Sequence, residues 1–190
     1  MTDVELIGNL GDIPDLSGIA DDQSSEPFGD GWYEGVIVNR REFTDKNGND
    51  RVFESSDTPA QKSGRNIRLQ LTLKRQKDSR EFNTTALINY QPDDLSAETI
   101  QAITAQQAKV KADGAEWGEL YRPFMTLLRL GKLQKIAGVR QLKRNGDGGL
   151  DISPLYGKTA YFKLGEDSRN PQYREVKDFR DTKPTRVPVL

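Results

Sequence analysis

The sequence predicts a mainly-β fold with inserted helices: five strands closing into one small barrel, with a helical insertion between the third and fourth. Three observations carry this. Residues 66–75 alternate strictly, with Ile67, Leu69, Leu71 and Leu73 on one side and Arg68, Gln70, Thr72 and Lys74 on the other, the pattern of a half-buried strand. A polar turn and a second strand-like run, Phe82 to Tyr90, follow to make a hairpin. After two helical segments, Thr159 to Leu164 and Tyr173 to Arg180 form a second hairpin.

The remaining elements follow in order. Residues 1–30 read as an acidic, flexible N-terminal arm: they carry eight acids and no Lys or Arg. All 28 basic residues lie in 31–190 against 21 of the 29 acids, so an acidic arm precedes a body of net charge +7. Trp32 to Phe43 has the aromatic and β-branched content of one strand, with Gly35 as a bend of the kind barrel corners use. Thr44 to Arg65 reads as a long loop. Its Asp45–Asp50 stretch departs from a calcium loop, because Gly48 holds the fourth place rather than the sixth and Ser56 stands where a bidentate glutamate belongs.

Ser96 to Lys111 is predicted helical, capped by Asp94 or Ser96, with Asp113-Gly114 as its end. A second helix over 119–137 is expected to bury Leu120, Phe124, Leu127 and Leu128, and Gly138 is its C-terminal cap. The insertion therefore spans about residues 95–138 of a domain covering 31–180, and 181–190 is an extended tail. The glycine-rich run Lys143 to Gly149 lacks the Gly-Lys-Ser/Thr ending of a phosphate loop.

This strand-and-helix order is that of an OB-fold, a partly open five-stranded barrel that binds oligonucleotides on its second and third strands and adjoining loops. Composition narrows the chemistry further. There is no Cys and no His, which removes disulfides, thiolate metal sites and the commonest general base. A non-enzymatic protein is expected, with no cofactor and no metal. No apolar run reaches membrane-spanning length and no signal peptide is evident, so a cytoplasmic protein without a membrane partner is the expectation.

Single-strand binders combine cations that neutralise phosphates with aromatic faces on which bases stack. The candidate nucleic-acid contacts are Arg40, Arg41, Lys62, Arg65, Arg68, Lys74 and Arg75 around the first strands, Lys163, Arg169, Arg174 and Lys177 on the last hairpin, and Tyr90, Tyr161 and Tyr173 as stacking platforms. Trp32 and Tyr33 are further candidate platforms, whereas Phe82, Phe162 and Phe179 are assigned to the core. Arg68 leads the set, being in mid-strand opposite the Ile67/Leu69/Leu71 side.

Four phrases in order, Gly31-Trp32-Tyr33-Glu34-Gly35, Ile67-Arg68-Leu69-Gln70-Leu71, Leu155-Tyr156-Gly157-Lys158 and Tyr173-Arg174-Glu175-Val176, together with Ala137-Gly138-Val139, resemble a family of phage-encoded OB-fold single-stranded DNA-binding proteins once carried as a domain of unknown function. The resemblance covers roughly residues 28–180. It implies sequence-tolerant single-stranded DNA binding in phage replication, recombination or repair, inside the bacterial host cytoplasm. Replication or recombination proteins would be recruited by the acidic arm, and self-association is left open. The alternative is a non-enzymatic protein-binding module, a phage adaptor or virion component, working through that arm.

Overall fold

The computed structural model describes residues 29–45, 47–75, 78–170 and 173–184. The acidic arm, apart from Gly29 and Asp30, and the end of the C-terminal tail lie outside the described residues. The described residues form eight strands: β1 (Gly31–Val38), β2 (Arg40–Thr44), β3 (Asp50–Glu54), β4 (Ser56–Pro59), β5 (Arg65–Lys74), β6 (Glu81–Tyr90), β7 (Thr159–Glu166) and β8 (Arg174–Arg180). Two helices, α1 (Ala97–Asp113) and α2 (Tyr121–Ala137), lie between β6 and β7.

The barrel expectation is overturned. One sheet holds six strands in the order β4-β5-β1-β7-β8, with β6 also paired to β5, and it is open rather than closed. A separate two-stranded sheet is formed by β2 and β3. The five-stranded OB-fold is therefore not this fold, and the likeness to phage single-stranded DNA-binding proteins falls with it.

Two local arrangements differ from the sequence expectation. Trp32–Phe43 is not one strand: the chain bends at Asn39, and β2 turns away to pair with β3, Arg41 opposite Phe53 and Phe43 opposite Arg51. The long loop expected over 44–65 supplies two strands, β3, which contains Val52 and Phe53, and β4. β4 pairs along Arg65–Arg68 of β5, and β1 pairs along Gln70–Lys74.

The chain divides into two compact units, with the boundary falling inside β5 and β6. Of the described residues, the first contains 29–45, 47–55, 69–75, 78–86, 156–170 and 173–184. Its core is the inward set of an alternating sheet: Ile37 from β1, Leu69, Leu71 and Leu73 from β5, Phe82 and Ala86 from β6, Ala160, Phe162 and Leu164 from β7, and Phe179 from β8. Gly35 is not a bend but a regular position, opposite both Leu73 and Ala160. A side chain there would run into Leu73 Cδ2 and stand 3.2 Å from Phe162 Cδ2, so glycine is what lets those two core residues fill the space above β1.

The second unit contains residues 56–68 and 87–155. Ser96 caps α1, its hydroxyl oxygen accepting from the Thr99 amide at 3.1 Å, and Gly114 ends the helix at φ 67°. Of α1 only Ile103 is buried. α2 buries Pro123, Thr126, Leu130, Leu133, Ile136 and Ala137. That face is not the expected one: Leu128 is 43% exposed, and Phe124 is only half-buried. The helix carries two apolar stripes, and the sequence alone does not rank them.

Asp94 fastens this unit. Its carboxylate, 2% exposed, accepts from the Gln91 amide at 3.0 Å, the Arg122 guanidinium at 2.9 Å and the Thr126 hydroxyl at 3.2 Å, tying the start of α2 to the 3₁₀ turn Pro92–Leu95.

Candidate functional site

The outer face of the first unit's sheet is built by the residues that alternate with the core. On β1 these are Trp32, Glu34 and Val36; on β7, Tyr161 and Lys163; on β8, Asp178 and Arg180; on β5, Thr72 and Lys74. Register aligns them in transverse rows. Lys74, Glu34, Tyr161 and Arg180 make one row across four strands, and Trp32, Lys163 and Asp178 make the next across three.

Side chains connect the rows. The Arg180 guanidinium lies 4.2 Å from the centre of the Trp32 ring, a cation–π contact, and stands 3.9 Å from the Asp178 carboxylate. The Tyr161 hydroxyl donates to Glu34 at 3.4 Å. Loss of hydration and the neighbouring Glu34 charge hold the Tyr161 phenol above its ordinary pKa, so it stays protonated as a donor. The arm joins the domain beside this face: Asp30 pairs with Arg174 of β8 at 2.8 Å, and Tyr33 donates to the Gly29 carbonyl at 2.8 Å.

The predicted contact residues are distributed as follows. Lys74, Tyr161 and Lys163 share the outer face. Arg174 and Lys177 are on β8, where Lys177 pairs with Glu175. Arg40 and Arg41 are on β2, Arg40 paired with Glu42 at 2.6 Å and Arg41 buried with its guanidinium 5.3 Å from the Phe53 ring. Arg75 pairs with Asp78 at the foot of β5. Arg169 is exposed and Tyr173 half-buried in the β7–β8 connection. Lys62, Arg65, Arg68 and Tyr90 belong to the second unit, where Lys62 and Arg68 are exposed.

Arg65 and Tyr90 enter a buried cluster around Asp57. The Asp57 side chain is 0% exposed and that of Arg65 7%. Asp57 accepts from Arg65 Nε at 3.0 Å, from the Tyr90 hydroxyl at 2.6 Å and from the Leu150 amide at 2.6 Å, while Arg65 reaches Asp147 at 2.9 Å. Asp57 was not singled out by its sequence context, since a lone acid in a polar loop carries no signal of burial.

These contacts overturn single-stranded DNA binding, and with it the roles in phage replication, recombination and repair and the DNA partner. The sheet forms no barrel groove, and among the described residues the aromatics do not gather into a stacking platform. Tyr33 meets Phe82 edge-on at 5.9 Å on the core side, Tyr90 is 3% exposed, and Arg180 covers Trp32. Arg40, Arg65, Arg75, Arg174 and Lys177 each have a carboxylate beside them, which a phosphate would have to displace.

Sequence reasoning missed Glu34, Asp178 and Arg180. The inward position of Phe179 on an alternating strand was the available sign that Asp178 and Arg180 face outward. Among the described residues, no helix is long and apolar enough to cross a membrane. Comparison with protein-family models, curated proteins and solved structures finds no match for this chain.

Proposed function

We propose that the chain is a non-catalytic protein-binding module, acting in the cytoplasm, whose contact surface is the outer face of β1, β7 and β8. The observation that carries this reading is the Trp32–Arg180 pair at 4.2 Å, flanked by Tyr161 and Glu34. Trp, Tyr and Arg are the residue types that most often anchor protein interfaces: the two aromatics bury a large area while ordering few bonds, and the guanidinium adds a planar fork of donors that also stacks on an aromatic face. The surrounding charges alternate in sign, Lys74 with Glu34 in one row and Lys163 with Asp178 in the next. A polyanion is met by charge of one sign, whereas an alternating pattern selects a partner surface with the opposite alternation.

The partner is accordingly a folded protein that accepts the indole in an apolar pocket and sets carboxylates against Arg180, Lys74 and Lys163. The buried acids support a binding rather than a catalytic role: Asp57 and Asp94 are occupied in holding loops and helices together.

The test replaces Tyr161 with a photo-crosslinking amino acid, identifies the captured protein, and measures its affinity as a purified complex. Trp32→Ala and Arg180→Ala are expected to weaken that complex at least about tenfold each, as central anchors do. A captured partner whose affinity is unchanged by both substitutions would place the contact elsewhere and sink the proposal.

A further inference from the structure

The second unit carries an apolar surface for which the core has no use. On the side of α2 away from its buried face, Tyr121, Phe124 and Leu128 recur at the three-and-four spacing of a coiled-coil seam, and Trp117, which precedes the helix, joins them through its contact with Phe124. Tyr121 is 54% and Leu128 43% exposed. Trp117 and Phe124 stack face to face, with ring centres 4.0 Å apart, and both are only half-buried. The other face of the helix is already satisfied by Leu130, Leu133 and Ile136.

The charges around this stripe are ordered along the chain. Glu116 and Glu119 lie at its start and Lys135 and Arg140 at its end, all four exposed. Such a surface is complementary to itself when two helices run antiparallel: each acidic end falls on the other's basic end, the helix dipoles oppose, and the apolar middles meet. Leu128 then lies close to the two-fold axis, opposite its own counterpart.

We infer that the stripe is a homodimer interface, in which α2 of one copy packs antiparallel against α2 of a second. This contact is independent of the sheet face proposed for the partner, so it stands or falls by its own measurement.

The experiment uses the full chain in analytical ultracentrifugation. The expected mass is twice that of the chain, with Leu128→Glu weakening the dimer at least about tenfold. The decisive variants are charge reversals. Glu116→Lys with Glu119→Lys makes both ends basic, and Lys135→Glu with Arg140→Glu makes both ends acidic. Each variant alone is expected to be monomeric, and an equimolar mixture of the two to dimerise. Recovery on mixing also shows that both variants are folded.

The absence of native cysteine allows a second readout, since Leu128→Cys is expected to form an intermolecular disulfide on mild oxidation, whereas Ile100→Cys, exposed on α1, is not. A chain that stays monomeric and forms no Leu128→Cys disulfide would overturn the inference. In that case a thiol protected from labelling would assign the stripe to another segment of the same chain, and a thiol that labels freely would assign it to a different partner. Dimers that survive both charge reversals unmixed would also overturn it.

Discussion

Tyr90 donates its hydroxyl to Asp57 at 2.6 Å, joining the end of β6 to the short strand β4, and the phenol is 3% exposed. The same carboxylate receives Arg65 and the Leu150 amide, so one buried charge organises residues spread over 93 positions of sequence. A buried ion pair is costly to assemble, and removing one member leaves the other charge stranded.

Asp57→Asn is therefore expected to destabilise the protein by about 3 kcal/mol, the low end for a broken buried pair, because the Arg65 guanidinium loses its buried counter-charge and keeps only the more exposed Asp147. Tyr90→Phe removes one hydrogen bond to a charged group and is expected to cost about 1.5–3 kcal/mol. Equilibrium urea unfolding of both variants checks the ranking. An Asp57→Asn protein with an unchanged midpoint would show that the cluster contributes nothing net.

Stability is expected to depend on alkaline pH through the same residue. Burial, and then the hydrogen bond to the Asp57 charge, raise the Tyr90 phenol above its ordinary 10.0. A group whose folded pKa is raised contributes stability that is fully present below the unfolded value and is lost as pH climbs toward the folded one. Unfolding midpoints should thus fall above about pH 10, and less steeply in Tyr90→Phe. Equal alkaline slopes in the two proteins would remove Tyr90 as the cause.

At acid pH the sign reverses for Asp78, whose carboxyl is brought from 3.8 down to about 2, chiefly by its hydrogen bond to Arg75. Its contribution is present above 3.8 and is lost as pH falls through about 2. Carboxyl-carbon NMR titration should find Asp78 among the last acids to protonate. A midpoint at the ordinary aspartate value would show that the Arg75 pair does not persist in solution.

Two glycines in the left-handed region should respond differently to alanine. Gly64, at φ 79°, has the Tyr90 carbonyl 2.6 Å from where a Cβ would stand, whereas Gly114, at φ 67°, has nothing within 4 Å. Gly114→Ala is expected to cost about 1–2 kcal/mol from backbone conformation alone, and Gly64→Ala more than that. Thermal unfolding of the pair decides it, with equal losses counting against the close approach at Gly64.

Ser96→Ala should cost about 1 kcal/mol through the lost cap on α1, a helix with little other burial to hold it. Amide hydrogen exchange should show the first turn of α1 opening more readily. Unchanged protection there would mean that packing rather than capping secures the helix start.

The sequence by itself determined what local periodicity and capping can encode. The alternation of β5 names Ile67, Leu69, Leu71 and Leu73 as core, and each is 0% exposed. Gly138 marks a helix end because a left-handed glycine meets a need of the backbone itself, and the start of α1 was narrowed to Asp94 or Ser96, of which Ser96 is the cap. Phe82, Phe162 and Phe179 lie in the core for the same reason, since each alternates with polar neighbours on a strand.

Only the tertiary structure decided which of the two stripes on α2 faces inward, that β2 leaves β1 to pair with β3, and that the sheet stays open. It also decided that Arg65 is buried against Asp57, while Lys74 and Lys163 remain on the outer face beside Trp32, Tyr161 and Arg180. These outcomes depend on which distant segment supplies a partner, and an arginine is the same residue in sequence whether a carboxylate 82 positions away neutralises it or water does. Burial and pairing are properties of that long-range arrangement, and they are what separates a set of basic residues from a site.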